Sequence, residues 1–549
     1  MTPWIAALFL PACAPEAAPV RAPEVGADLR GGVVLALLDR VPQPTVSDVQ
    51  VSPSHARPGD LLSCDWVFTG VRDRSRVAWR VGDVVVGTGT TFDTSGVPVG
   101  SDVTCEVTPD DGLREGTPVV GKARLPGNVV LVIADDIGAG RLATYGVGID
   151  QPPTPVLDGL AAQGVLFEHA WAEPTCSPGR AALLTGRDPS QTGIGKALSV
   201  HGATWLHADE QTLPELLTEG TGGLYTSAMV GKWHLAVESL GDGYRTDPNQ
   251  QGFASFAGMM MGFSEGEFGD DLPSNYYSWL ETIDGSFQRV DAYNTTVSTD
   301  RAIDFFATLP EPFLLVISYP AAHAPYQSPP PELVSGPAPG ATRDQRNQNG
   351  TIEAMDTELG RFLDTVDPGR LDRSTVFVTS DNGTPSDLLT APFPAGLGKG
   401  TVGEGGLWVP LLVSGLGVDR LGERSDHPVQ ATDLFATVAE LAGVAIDDGV
   451  PRDSVSFAEA LRDPAAAPAR EVGYAEHFAN ESGAEWQRAA RTGGFKLARW
   501  EGGEALFDLR TSPVEVADLL DAPLSAEAEA AWETLSAYLD ARQVPSGVP

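Results

Sequence analysis

Four uninterrupted apolar runs constrain this chain more than any other feature. Asn128-Val-Val-Leu-Val-Ile-Ala, Phe313-Leu-Leu-Val-Ile-Ser-Tyr, Ser374-Thr-Val-Phe-Val-Thr-Ser and Pro410-Leu-Leu-Val-Ser lack the polar alternation of a half-wet strand. As strands they need cover on both faces. Helical patterns lie among them, from Thr154 to Gln163 with Thr154 as candidate cap and from Ile352 to Val366. Beyond Pro126 the chain therefore reads as an α/β layered domain. The first three runs end in polar groups: Asp135-Asp136-Ile-Gly138, Ala322-His323-Ala-Pro-Tyr326 and Asp381-Asn382-Gly383. In open α/β sheets ligands collect beyond the carboxyl ends of strands, where these residues fall.

With 549 residues the chain is too long for one ordinary core. Its formal net charge of -38 offers no basic surface to displace counterions from phosphates, which argues against nucleic acid as a partner. A protein this acidic that binds an anion needs its cations gathered in one pocket.

The four cysteines, Cys13, Cys64, Cys105 and Cys176, divide by context. Residues 1–13 hold a short apolar run, too brief to span a bilayer. Its end, Leu10-Pro-Ala-Cys13, resembles a bacterial lipobox, which implies an exported, periplasmic or cell-surface protein, in one form an outer-membrane lipoprotein anchored by lipid at Cys13. Residues 14–41 begin Ala/Pro-rich and suit a linker. Residues 42–125 carry short β-prone runs (Val49 to Ser52, Leu61 to Val67, Arg76 to Val86, Asp102 to Val107) separated by Gly, Pro, Asp and Ser. Cys64 and Cys105 fall in two of them with Trp79 between. That order resembles an immunoglobulin-like sandwich, and the resemblance implies a disulfide joining two sheets beneath a packed tryptophan. Nothing in this stretch converges like a ligand site, so a spacer is the favoured role.

Cys176 opens the segment Cys176-Ser-Pro-Gly-Arg-Ala-Ala-Leu-Leu-Thr-Gly-Arg187. Small and apolar residues after it read as the first turns of a buried helix, whose start suits an anion. Pro178 sets the local path and Arg180 adds a permanent charge. Asp135, Asp136, Asp381 and Asn382 offer only hard oxygens, a set that favours calcium or magnesium over zinc. Gly231-Lys232-Trp233-His234 follows a β-prone run, so Lys232 and His234 are expected on one side of an extended segment. The stretch from Leu397 contains Lys399-Gly-Thr-Val-Gly-Glu-Gly-Gly-Leu-Trp-Val-Pro410.

Taken in order, these elements resemble the formylglycine-dependent, arylsulfatase-like sulfatases of the alkaline phosphatase superfamily. Cys176, Pro178 and Arg180 match the family's C-x-P-x-R core, and Leu184 to Arg187 its Leu-Thr-Gly-Arg tail. Gly179 stands where the family usually has serine. The resemblance implies an alkaline-phosphatase-like sandwich with a mostly parallel central sheet over residues 126–424 and a smaller antiparallel C-terminal subdomain over residues 425–549. It implies a calcium site, or magnesium, on Asp135, Asp136, Cys176, Asp381 and Asn382. A formylglycine-generating enzyme would convert Cys176 to an aldehyde, whose hydrate attacks the sulfur of a sulfate ester. Arg180, Lys232 and Lys399 are expected around the sulfuryl oxygens, His323 as proton donor to the departing alcohol, and His234 as helper in sulfate release. The substrate is an aryl or carbohydrate sulfate. Alternatives are a phosphonate monoester or phosphodiester hydrolase of the same superfamily, or a non-catalytic surface protein that binds a sulfated ligand. Residues Ser239 to Tyr293, with Met259-Met-Met261, Phe263 and Tyr276-Tyr-Ser-Trp279, are read as loops over the pocket, with an aromatic shelf or a packed insertion as the two outcomes.

Overall fold

The computed structural model describes residues 42–263, 274–447, 449–450, 452–480, 482 and 484–542. The signal-like residues 1–13, Cys13 and the linker 14–41 lie outside them.

The N-terminal unit contains β1 (Thr45–Ser52), β2 (Leu61–Thr69), β3 (Arg76–Val81), β4 (Val84–Thr88), β5 (Thr91–Asp93), β6 (Asp102–Thr108) and β7 (Val119–Arg124). They form two antiparallel sheets, ordered β1-β2-β5 and β4-β3-β6-β7. The run from Arg76 to Val86 is not one strand but a hairpin, since Gly82 turns it with φ +56°. Cys64 of β2 is bonded to Cys105 of β6, joining the sheets. Trp79 pairs with Cys105 in register, is fully buried and stacks on Phe92.

The second unit is built on β8 (Asn128–Ala134), β9 (Gly164–Trp171), β10 (Thr226–Lys232), β11 (Ser255–Met259), β12 (Trp279–Ile283), β13 (Ser286–Val290), β14 (Phe313–Ser318), β15 (Ser374–Ser380), β16 (Leu411–Gly415) and β17 (Glu423–Gln430). They make one mostly parallel sheet in the order β13-β12-β11-β10-β14-β8-β15-β16-β9-β17. Every residue of β8, β14 and β15 is buried. The pleat explains the all-apolar sequence: Val129, Leu131 and Ile133 join the core on one face and Val130, Val132 and Ala134 the core on the other. Each of these valine, leucine and isoleucine side chains contributes about 1.5–3 kcal/mol of burial. The first core includes Ala181 to Leu184 of the helix Cys176–Thr185; the second includes Ile352, Met355 and Leu359 of the long helix Arg343–Thr365.

Strands β18 (Gly473–His477), β19 (Gln487–Arg491), β20 (Phe495–Trp500) and β21 (Gly503–Asp508) form a separate antiparallel sheet, covered by the helix Ala526–Ala541.

Several expectations need correction. The boundary at residue 424/425 falls inside β17, which pairs with β9 in the central sheet, so the smaller sheet begins only at Gly473. The helix expected from Ile352 begins at Arg343, where Thr342 and Gln345 make a reciprocal capping box. Its first turns, Arg-Asp-Gln-Arg-Asn-Gln-Asn-Gly, carry no apolar period to reveal it. Thr154 stands at a helix N-cap without capping through its side chain; the Asp356 carboxylate accepts the Val156 and Leu157 N–H groups instead. Within Ser239 to Tyr293, β11, β12 and β13 extend the sheet rather than forming only loops. Residues 264–273 of that stretch lie outside the described ones. Tyr276 and Trp279 are buried, which favours the packed insertion over an open shelf.

Candidate active site

Three strand ends create the site. Strands β8 and β15 are neighbours and parallel, with Ala134 opposite Ser380, so Asp135 and Asp381 leave the same sheet edge side by side. The Asp381 N–H donates to Ala134 O at 3.1 Å. Asp136 then takes φ +66°, a conformation costly for any residue with a side chain and frequent at functional sites. Asn382 Nδ2 donates to Asp136 Oδ1 at 2.8 Å. Ser380 Oγ donates to the carbonyls of Ala134 and Asn382 and accepts the Ile137 N–H, tying the two turns together.

Cys176 is the first residue of its helix and is buried. Pro178 falls in the first turn, where its missing N–H costs nothing. Gly186 ends the helix with φ +67°. Gly179 is where the helix approaches the β15 end most closely: a Cβ there would lie 2.0 Å from Asp381 O. The Cys176 thiol points at Asp135 Oδ1 over 3.6 Å and accepts from Lys399 Nζ at 3.1 Å. Burial and the Asp135 carboxylate push the thiol pKa up, but Lys232, Lys399 and a hydrogen bond with His323 outweigh them and bring it down to about 7.

The cations converge as the acidity of the chain required. Lys232 Nζ lies 2.5 Å from Asp135 Oδ2, and Lys399 Nζ 2.5 Å from Asp136 Oδ1. Lys232 gets there as the last residue of β10, after Gly231, which has φ +93° and room for no more than hydrogen against Ser318 O. Although burial disfavours its charge, the ring of acids and the Cys176 thiol hold the Lys399 ammonium well above the ordinary lysine pKa. Arg180 departs from expectation. Its guanidinium binds Asp381 Oδ2 at 2.8 Å and Asp135 Oδ2 at 3.3 Å, and donates to Lys232 O and Ser318 Oγ. With 2% of its side chain exposed, it braces the two carboxylates from behind rather than facing an incoming ester. Both acids are penalised by burial, but Asp135 is held well below the usual carboxylate range by Lys232, His323, Arg180 and Lys399. Asp381, facing Asp135 and Cys176, is pushed well above it.

The two histidines have different settings. His323 Nδ1 meets Ala324 O at 2.6 Å, so that nitrogen carries the hydrogen and Nε2 is left toward the pocket, 4.0 Å from Asp136 Oδ2. Burial and the two lysines pull its pKa down, yet Asp135 and Asp136 raise it above the usual histidine value. His234, at φ +61°, gives Nε2–H to Leu198 O at 3.1 Å and has no partner for its buried Nδ1. Burial, then Lys232 and Arg180, hold it well below the usual value, so it is a neutral acceptor. Lys232, His234 and His323 share a cavity of about 240 Å³ with Leu198, Met261 and Phe263. The backbone at His234 has already left the extended path that the sequence suggested for Lys232 and His234.

The residues expected to hold a metal are brought together. One ligand atom each from Asp135, Asp136, Cys176 and Asp381 fits within a 4.8 Å spread, and Asn382 Oδ1 is buried without a partner. Three acids this close, with a spare amide oxygen, fit a hard divalent cation.

Supporting residues escaped the sequence reading. Gln348 Nε2 donates to Asp136 O, and Asn347 Nδ2 to Tyr326 O in the turn that carries His323. Tyr276 Oη donates to the carbonyls of Pro320 and His323. Trp233, between the two pocket residues, donates to Asp247. The buried position of four amides, Gln345, Asn347, Gln348 and Asn349, on one helix was the available signal, but burial is not written in a polar sequence.

Comparison with known proteins agrees with this geometry. The family model described as Sulfatase matches residues 127–444. N-acetylgalactosamine-6-sulfatase of Homo sapiens is 32% identical over 349 residues, covering 58% of this chain and 62% of that protein. The chain thus spans about three fifths of that relative's length. Among solved structures, Ps i-CgsB in complex with k-i-k-neocarrahexaose superposes with a TM-score of 0.64 at 25% identity, covering 77% of this chain and 94% of that one. BT4656 in complex with its substrate D-glucosamine-2-N,6-O-disulfate gives 0.59 at 20% identity, covering 76% and 97%.

Proposed function

We propose that this chain, which belongs to the sulfatase family, hydrolyses a sulfate ester borne by a carbohydrate. The observation that carries the reading is the surround of Cys176: Asp135 Oδ1 at 3.6 Å and Lys399 Nζ at 3.1 Å, with Lys232 and Arg180 on the same acids. A buried residue at a helix start, ringed by cations, is a place for an esterified oxyanion. The carbohydrate class follows from the relatives: one is an N-acetylgalactosamine-6-sulfatase and another was solved with a neocarrahexaose.

In this reading Cys176 is converted to formylglycine by a formylglycine-generating enzyme, and the aldehyde hydrate supplies both the nucleophile and an exit for the enzyme-bound sulfate. Asp135, Asp136, Asp381 and Asn382 would hold calcium, with magnesium as the alternative, beside residue 176. When bound, that cation supplies Lewis acidity and offsets the charge of the three acids. Lys399 spans the reacting position and Asp136, so its charge is placed for the sulfuryl oxygens. Lys232 borders the cavity from the Asp135 side. Arg180 keeps Asp135 and Asp381 in register. His323, with Nε2 toward the cavity, protonates the leaving alcohol oxygen. His234, neutral with a free Nδ1, accepts a proton or hydrogen bond during sulfate release.

The test is mass spectrometry of the peptide carrying residue 176, paired with sulfate release from 6-sulfated N-acetylgalactosamine. Formylglycine at 176 and loss of turnover by at least about a thousandfold in Cys176→Ala are expected, the range for losing a nucleophile. Undiminished sulfate release by Cys176→Ala defeats the assignment.

A further inference from the structure

Where the segments after Asp136 and Asn382 meet lies a small cavity lined by Arg141, Trp408, Thr384, Thr390, Leu389 and Phe393, with room for roughly one water-sized atom. The side-chain groups there that lack a partner are all donors. Arg141 is 2% exposed and gives Nη2 to Asn349 Oδ1, while its Nε and Nη1 have no partner. Trp408, 5% exposed, has no partner for Nε1. Four backbone oxygens nearby each accept a hydrogen bond: Gly138 O from Arg141, Gly140 O from Gln151, Gly405 O from Thr384 and Trp408 O from Ala139. Thr384 Oγ1 accepts the Gly138 N–H and Thr390 Oγ1 donates to Ile149 O.

Among the described residues no carboxylate lies within ion-pair distance of Arg141. The acid nearest in influence, Asp150, is exposed. Burying an unpaired guanidinium costs several kcal/mol unless a counter-charge joins it. Two buried side chains with donors to spare, a guanidinium without a counter-charge and space for one small sphere describe a site for a monatomic anion; sulfate and carboxylates are too large for it.

We infer that this cavity binds a halide ion, chloride under ordinary conditions, held by the free donors of Arg141 and Trp408. The ion would sit where the segment after Asp136 meets the segment after Asn382, already joined by the Gly138 to Thr384 hydrogen bond of 3.1 Å. It would thereby clamp both carboxylate turns.

Crystals soaked in sodium bromide should show an anomalous peak in this cavity. In solution, the melting temperature should rise saturably with chloride or bromide when gluconate keeps the ionic strength constant. Trp408→Phe, which removes one donor and little volume, should weaken the apparent halide affinity by about tenfold or more. Arg141→Gln should abolish the dependence. If Arg141→Gln does not fold, the bromide map and Trp408→Phe still decide. Bromide absent from the cavity, with density that refines as water, overturns the inference. So does a halide response unchanged in Trp408→Phe, or one that gluconate reproduces.

Discussion

Asp247 shows how one side chain can hold a neighbour of the site in place. Its Oδ2 accepts the Trp233 Nε1 hydrogen bond at 2.8 Å and so fixes the residue between Lys232 and His234. Burial pushes the Asp247 pKa up to about 7, although the Trp233 bond works the other way. A carboxyl that binds its proton more tightly folded than unfolded makes stability fall as pH rises from the unfolded pKa, near 4, through the folded one. Over that window the cost reaches roughly 4 kcal/mol. Asp247→Asn keeps an acceptor for the indole and removes the charge. Its thermal stability should therefore hold across pH 4 to 7, in the range where the parent declines; a parallel decline in both proteins contradicts the account. Arg180 teaches a related lesson: the motif announced the residue, while its contacts to Asp135 and Asp381 show that it supports acids.

At the scale of elements, the short helix Glu404–Leu407 couples the lysine loop to the C-terminal sheet. Glu404 is fully buried and binds Lys496 of β20 at 2.9 Å and Arg491 of β19 at 3.3 Å. Lys496 also binds Glu515 at 2.7 Å, and Glu515 accepts the Glu404 N–H. Burial opposes the charge on Glu404, but Lys496 and Arg491 overcome it and lower the pKa. Removing one partner of such a set strands the others. Lys496→Met should cost about 3–5 kcal/mol in denaturant unfolding. A loss under about 1 kcal/mol would mean that the network is not maintained in solution. The spacing of Glu404 from Lys399 was visible in the sequence; its partners some 90 residues downstream were not.

Across the whole molecule, the N-terminal unit docks at the opposite end of the sheet from Cys176. Arg57 donates to Glu311 O and Leu224 O, just before β14 and β10 begin, and Arg124 to Leu441 O. Replacing both cysteines of the 64–105 bridge with serine should destabilise this unit by about 2–5 kcal/mol. Sulfate-ester turnover should be unchanged at temperatures where the unit stays folded. Calorimetry would resolve the first effect, and a matching loss of activity would show that the two units are not separable in function. In a chain of net charge -38, Lys232, Lys399 and Arg180 are drawn inward by three buried acids.

Much of the fold was legible because burial leaves a local trace: runs such as Asn128 to Ala134 have only one way to hide every side chain, and a turn residue ends each of them. The Cys176 segment and the paired acids were legible as short strings in a fixed order, through their resemblance to the family's motifs. What the tertiary structure alone decided depends on partners distant in the chain. Lys399 reaches Cys176 across 223 residues and Asn382 reaches Asp136 across 246. The polar first turns of the helix Arg343–Thr365, the place of β17 in the central sheet and the unpaired donors of Arg141 belong to the same class. Desolvation and hydrogen-bond pairing are properties of the folded neighbourhood, and no window of sequence contains it.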